Sequence, residues 1–114
     1  MFLHESGKPV CVQPIKFLRR IAKWEGRKPF RMISVSADSA KQTTRNFIAK
    51  QKIDWPVYMD PNLRQMGPLF GIESYPAFVI LDHTGKMIFT VDGWSSHYQD
   101  SLRIKLKEAM AKAK

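Results

Sequence analysis

Cys11 is the only cysteine in the 114-residue chain and the residue best suited to covalent chemistry. A thiol can attack a disulfide or be oxidised, and both reactions run through the thiolate. One cysteine excludes an internal disulfide and a cysteine-pair zinc site. The spacing puts Cys11 at the start of a helix, where unpaired backbone N–H groups favour negative charge, and Lys8 adds a cation three positions earlier. Those conditions permit a mixed disulfide with glutathione or a protein, or a sulfenic acid with peroxide. The alternative is a half-buried, inert thiol whose pKa burial raises. The second conspicuous pair is Tyr75-Pro76, which precedes the apolar run Ala77–Leu81. Proline cannot donate to a sheet ladder, so Pro76 belongs at the first position of a strand or in a turn, where a cis bond can occur.

The remaining candidates point to packing. His4, His83 and His97 show no helical ligand spacing, so no metal or other cofactor is expected. Trp24, Trp55 and Trp94 read as core or rim residues, and Met59, Met66 and Met87 as core fillers. Net charge is +9, with seven basic residues and one acidic between Lys16 and Arg31 and a second basic group from Arg103 to Lys114. These cations interleave with apolar residues at helical spacing, as on solvated helix faces, so no specific nucleic-acid partner is expected. No run of about 18 apolar residues occurs, and no membrane span is expected. Met1–Glu5 lacks a basic start and a long apolar stretch, which leaves the compartment open.

The elements that must position Cys11 and Pro76 can be read from periodicity. Residues 1–4 read as the end of a strand, short enough to be part of an element that could begin before Met1. Ile15, Leu18, Ile21 and Ala22 repeat at three- and four-residue spacing, which predicts a helix from Cys11 to about Trp24 with Pro14 in its first turn. Phe30–Val35 reads as a strand, and Ser36–Ser39 supplies caps for a helix over 40–52 that turns Phe47 and Ile48 inward. Trp55–Asp60 reads as a short strand and Pro61–Phe70 as a brief helix ended by Gly71. Ala77–Leu81 is the clearest strand, and the turn Asp82-His83-Thr84-Gly85 predicts an antiparallel return over 86–91. A terminal helix over 97–113 presents Leu102, Leu106, Ala109 and Met110 on one face. With 44% hydrophobic residues this is one α/β domain over 1–114, a mixed sheet with helices on both faces.

That order, a strand leading to a cysteine at a helix start, then Ile33-Ser34-Val35-Ser36-Ala37-Asp38, then Val57-Tyr58-Met59-Asp60, then Gly71-Ile72 and Tyr75-Pro76-Ala77-Phe78-Val79-Ile80-Leu81-Asp82 with Gly85 and Gly93, resembles the thioredoxin fold. Within it the chain resembles the TlpA/ResA-like thiol-disulfide oxidoreductases, or redoxins. The resemblance implies thiol-disulfide exchange with protein thiols or disulfides and a periplasmic or otherwise extracytoplasmic home. It implies a cis-proline at Pro76, with Tyr75 touching the partner. The family's two cysteines are separated by two residues, and Cys11 matches the second, which places Lys8 where the attacking cysteine belongs. Pro14 stands where many relatives carry a glutamate, leaving Glu5 as the nearest acidic substitute. Three functions are compatible with this pattern. They are exchange through a single thiol, a non-catalytic module that binds a protein in the same groove, and a one-cysteine peroxidase. The last lacks the peroxiredoxin threonine, since Lys8 stands in its place, and would need Arg64 to be brought in by folding.

Overall fold

Alternation in the first strand determines the layers, because successive side chains in a strand point to opposite faces of a sheet. Phe2 and Leu3 are both apolar, so the strand carrying them has to be covered on both sides. A computed structural model of the chain describes residues 1–113 and places that strand in the middle of the sheet. The strands are β1 (Phe2–His4), β2 (Ser34–Ser36), β3 (Val57–Met59), β4 (Ala77–Leu81) and β5 (Met87–Asp92), in the order β3-β2-β1-β4-β5. β1 and β2 are parallel, as are β2 and β3, whereas β4 runs antiparallel to both β1 and β5.

The helices are α1 (Ile15–Ala22), α2 (Lys41–Gln51), α3 (Met66–Phe70) and α4 (Ser96–Lys112). On one face Phe2, Phe78 and Ile80 pack with Phe17, Leu18 and Ile21 of α1, Phe47 of α2 and Leu102 of α4. On the other, Leu3, Val35, Ala77 and Val79 pack with Leu63 and Ile72, and Met66 and Phe70 of α3 close the layer. Among the described residues no helix is long and apolar enough to cross a membrane.

Local chemistry explains where these elements stop and where they depart from the pattern in the sequence. The helix expected from Cys11 is split into a 3-10 turn over Pro9–Cys11 and then α1, because Pro14 has no N–H to continue a helix through the junction. Pro14 instead begins α1, its carbonyl accepting from Leu18 N at 3.0 Å. The strand expected from Phe30 shortens to Ser34–Ser36, since β1 offers only three partners, Phe2, Leu3 and His4. Gly71 closes α3 at φ 69°, in the left-handed region that glycine enters without strain. Met87 is 40% exposed on the edge strand β5, so it does not fill the core.

Ala40 stands at the cap position before α2 and offers no side-chain cap, and Ser36 and Asp38 are engaged in a buried network instead. α4 has the cap that α2 lacks. Ser95 Oγ accepts from Tyr98 N at 3.1 Å, so Ser95→Ala should cost about 1 kcal/mol, readable as a lower urea midpoint at unchanged slope.

Candidate functional site

The carboxyl ends of the parallel strands β1 and β2 and the amino end of the antiparallel β4 lie at one edge of the sheet. The loop leaving β1 folds back on itself, with Lys8 N donating to Glu5 O at 3.1 Å and Cys11 N to Lys8 O at 3.0 Å. This turn leaves Lys8 in solvent and takes Cys11 fully out of it, at 0% exposure. Its flanking aliphatics stay outside, Val10 at 44% and Val12 at 40%.

The segment before β4 faces the same place. The Tyr75–Pro76 peptide is cis, Pro76 is fully buried, and Gly93 N donates to Pro76 O at 2.6 Å. Lys8 Nζ lies 5.7 Å from the centre of the Tyr75 ring, within range of a cation–π contact. Burial raises the Tyr75 hydroxyl pKa above its ordinary value, and the nearby Glu5, Cys11 and Asp60 act in the same direction. The structure therefore gathers Lys8, Cys11, Tyr75 and Pro76, expected from the sequence to share a site, and adds Glu5 to them.

The environment of Cys11 is the informative part. Burial pushes its thiol pKa up, and the charges of Glu5 and Asp38 reinforce that shift. A backbone hydrogen bond from Glu5 and the charge of Lys8 work the other way but do not reverse it. The expected helix-start position is not met, since Cys11 ends the 3-10 turn four residues before α1, and the favourable Lys8 charge and Glu5 hydrogen bond are outweighed by desolvation, which penalises the charged form of any buried acid.

Two polar residues beneath the loop have surroundings that their sequence readings, a helix cap and a packing histidine, do not describe. Asp38, 6% exposed, accepts from Ser6 N at 2.9 Å, from Ser6 Oγ, and from Thr44 Oγ1 at 2.8 Å. Ser36 Oγ bonds Thr44 Oγ1 at 3.0 Å and accepts from Asp38 N at 3.0 Å. Burial works to raise the Asp38 carboxyl, but the hydrogen bonds from Ser6 and Thr44 hold it below the usual carboxylate range. The network ties the loop of Lys8 and Cys11 to α2. The available signal was Ser34 and Ser36 alternating with Val35 in a strand that must be covered on both faces, since buried hydroxyls require partners.

The other residue is His4, at 0% exposure, stacked between Phe2 at 5.0 Å and Phe47 at 4.8 Å between ring centres. Neither ring nitrogen has a hydrogen-bond partner among the described residues. Burial lowers its pKa to about 4, against a smaller opposing pull from Asp38.

Beside Tyr75 a cavity of about 410 Å³ is lined by Arg64, Gly71, Glu73 and Tyr75 but by none of Lys8, Cys11 or Pro76. A larger, mainly apolar cavity of about 670 Å³ among Phe17, Phe30, Met32, Leu102 and Leu106 is lined by none of Lys8, Cys11, Tyr75 or Pro76.

No family model matches the chain, and no curated protein matches it in sequence. Solved structures do match. A protein described as the thiol:disulfide interchange protein DsbE from Chlorobium tepidum superposes with a TM-score of 0.86 at 19% identity, over 96% of this chain and 77% of its own. A thiol-disulfide isomerase from Corynebacterium glutamicum gives 0.80 at 15% identity, over 96% and 77%. DsbF from MTB gives 0.79 at 17%, over 95% and 77%. The chain thus has the thioredoxin-like fold, an α/β architecture with a mixed five-stranded sheet and helices on both faces.

Proposed function

We propose that this chain is a thioredoxin-fold module of thiol-disulfide chemistry that holds a cysteine-bearing protein segment in the groove at Pro76, with binding rather than nucleophilic attack as its main act. The observation that carries this reading is the burial of Cys11 with a raised pKa, beside a lysine at the position from which attack would start. Exposed Lys8 and half-buried Tyr75 face each other at 5.7 Å above the buried Pro76 and Cys11, and we take a partner's backbone to lie along that pair. Likeness to proteins named for thiol-disulfide interchange supports the partner class, protein thiols or disulfides. The compartment we assign with it is extracytoplasmic, where disulfide-bonded partners persist.

A second reading is exchange through Cys11 alone, favoured by the backbone hydrogen bond from Glu5 and by the Lys8 charge, both of which stabilise a thiolate. One measurement separates the two. The rate of Cys11 alkylation by iodoacetamide across pH should be slow at pH 7, with its inflection above the ordinary cysteine value of about 8.5, since burial raises the folded thiol. Fast modification with an inflection below about pH 8 would establish the single-thiol reading instead.

A further inference from the structure

The outer face of α1 carries a row of cations at helical spacing, Lys16, Arg19, Arg20 and Lys23, all exposed. Positions three, four and seven apart share one side of a helix. The opposite side is committed to the core through Ile15, Leu18 and Ile21. The chain's ion pairs among described residues join Arg31 to Glu25, Arg103 to Asp100 and Lys105 to Glu108, so the row on α1 has no internal counter-charge. It begins four residues after Val12, one of the two exposed aliphatics beside the buried thiol.

We infer that α1 is the second half of the partner-binding surface, and that the segment it takes is an acidic stretch of protein continuing from the one held at Pro76. This rests on the groove reading above. Geometry fixes how long that stretch must be. From Lys16 to Lys23 the row spans about 10 Å at 1.5 Å per residue, which an extended peptide covers in about three residues at 3.3 Å each. Alternate side chains of an extended chain face the same way, so an acidic run of three or four residues presents about two carboxylates to the row. Charge complementarity of this kind speeds encounter and rejects wrong partners.

A protein fits better than a nucleic acid or a lipid surface. Single strands are held by stacking bases on exposed aromatic rings. In the chain the row is preceded by the exposed aliphatics Val10 and Val12, and the aromatic that follows it, Trp24, is half-buried with Lys28 Nζ 4.5 Å from its ring centre. Aliphatics joined to a cationic row suit an apolar-then-acidic peptide.

The test uses the full chain and a fluorescein-labelled peptide, Leu-Val-Val followed by four glutamates, with binding read by anisotropy. The wild type should bind it, and a peptide ending in four lysines should not bind. K16E/R20E, at two exposed positions, should weaken binding about tenfold or more with an unchanged melting curve. Val10→Asp separates this proposal from the groove reading. Weakened binding supports both, whereas intact binding with K16E/R20E still defective keeps the α1 surface and removes the groove. The α1 proposal is overturned by no binding to the wild type, by equal binding of the lysine peptide or of K16E/R20E, or by equally tight binding of a twelve-residue oligothymidylate or of phosphatidylglycerol vesicles.

Discussion

The His4→Phe protein should be more stable than the wild type at pH 7 by about 1–2 kcal/mol, and the gap should widen as the solution is acidified. The imidazole has no exposure and, among the described residues, no partner for either nitrogen, so the folded state carries two buried, unmet polar atoms. Phenylalanine keeps the stack between Phe2 and Phe47 and removes both. The acid response follows from linkage. In the folded chain His4 titrates at about 4, against 6.5 in an ordinary environment, so between those values the unfolded chain binds the extra proton. Stability is therefore lost as pH falls from about 6.5 to about 4, by up to about 3 kcal/mol from this residue. Urea unfolding of both proteins at pH 7 and pH 4.5 isolates the effect as a difference, because His83, His97 and every other titrating group are common to the pair. Equal acid sensitivity in the two proteins would show that His4 is hydrated or paired in solution.

Asp38→Ala should cost about 2–4 kcal/mol and should also loosen the candidate site. The carboxylate satisfies the Ser6 amide, the Ser6 hydroxyl and the Thr44 hydroxyl, and its removal leaves all three without that acceptor. Asp38→Asn, which keeps one carbonyl oxygen, should cost less. The specific signature is local. Hydrogen exchange at Ser6 and Lys8 should accelerate more than at the β4 amides, and Cys11 should alkylate faster at a fixed pH. If the whole sheet exchanges faster to the same degree, the network stabilises the fold globally and does not hold the loop in particular. The wild-type carboxyl titrates below the usual range, so its contribution is present above about pH 4 and is lost below it, in a window distinct from that of His4.

The parts of the fold legible in the sequence were those governed by neighbours in the chain. Ala77–Leu81 carries its own strand signal, the Asp82–Gly85 turn forces the return of β5, and Leu102, Leu106 and Met110 repeat on one helix face. Tyr75-Pro76 was legible for the same reason, since a proline that opens a strand has few conformations available. Cys11 was harder. The nearby Lys8 is local and favours thiolate, whereas the split of the helix at Pro14 and the desolvation of the 3-10 turn against the sheet are not recorded by any local pattern. The Ser6–Asp38–Thr44 network was hidden likewise, because Ser6 and Asp38 are 32 residues apart and meet only through the parallel pairing of β1 with β2. Asp38 reads as a helix cap in sequence, and tertiary contacts reassign it.

β1 is the middle strand of five, hydrogen-bonded on both edges and covered on both faces, and the loop of the candidate site leaves directly from it. The loop of Lys8 and Cys11 is therefore joined to the part of the molecule that opens last, and Asp38 anchors it. In the binding role proposed above, a surface mounted this way cannot close around what it receives. Adaptation then falls to the incoming chain, which must arrive extended and give up its own disorder, so its occupancy time is set by how well it already fits.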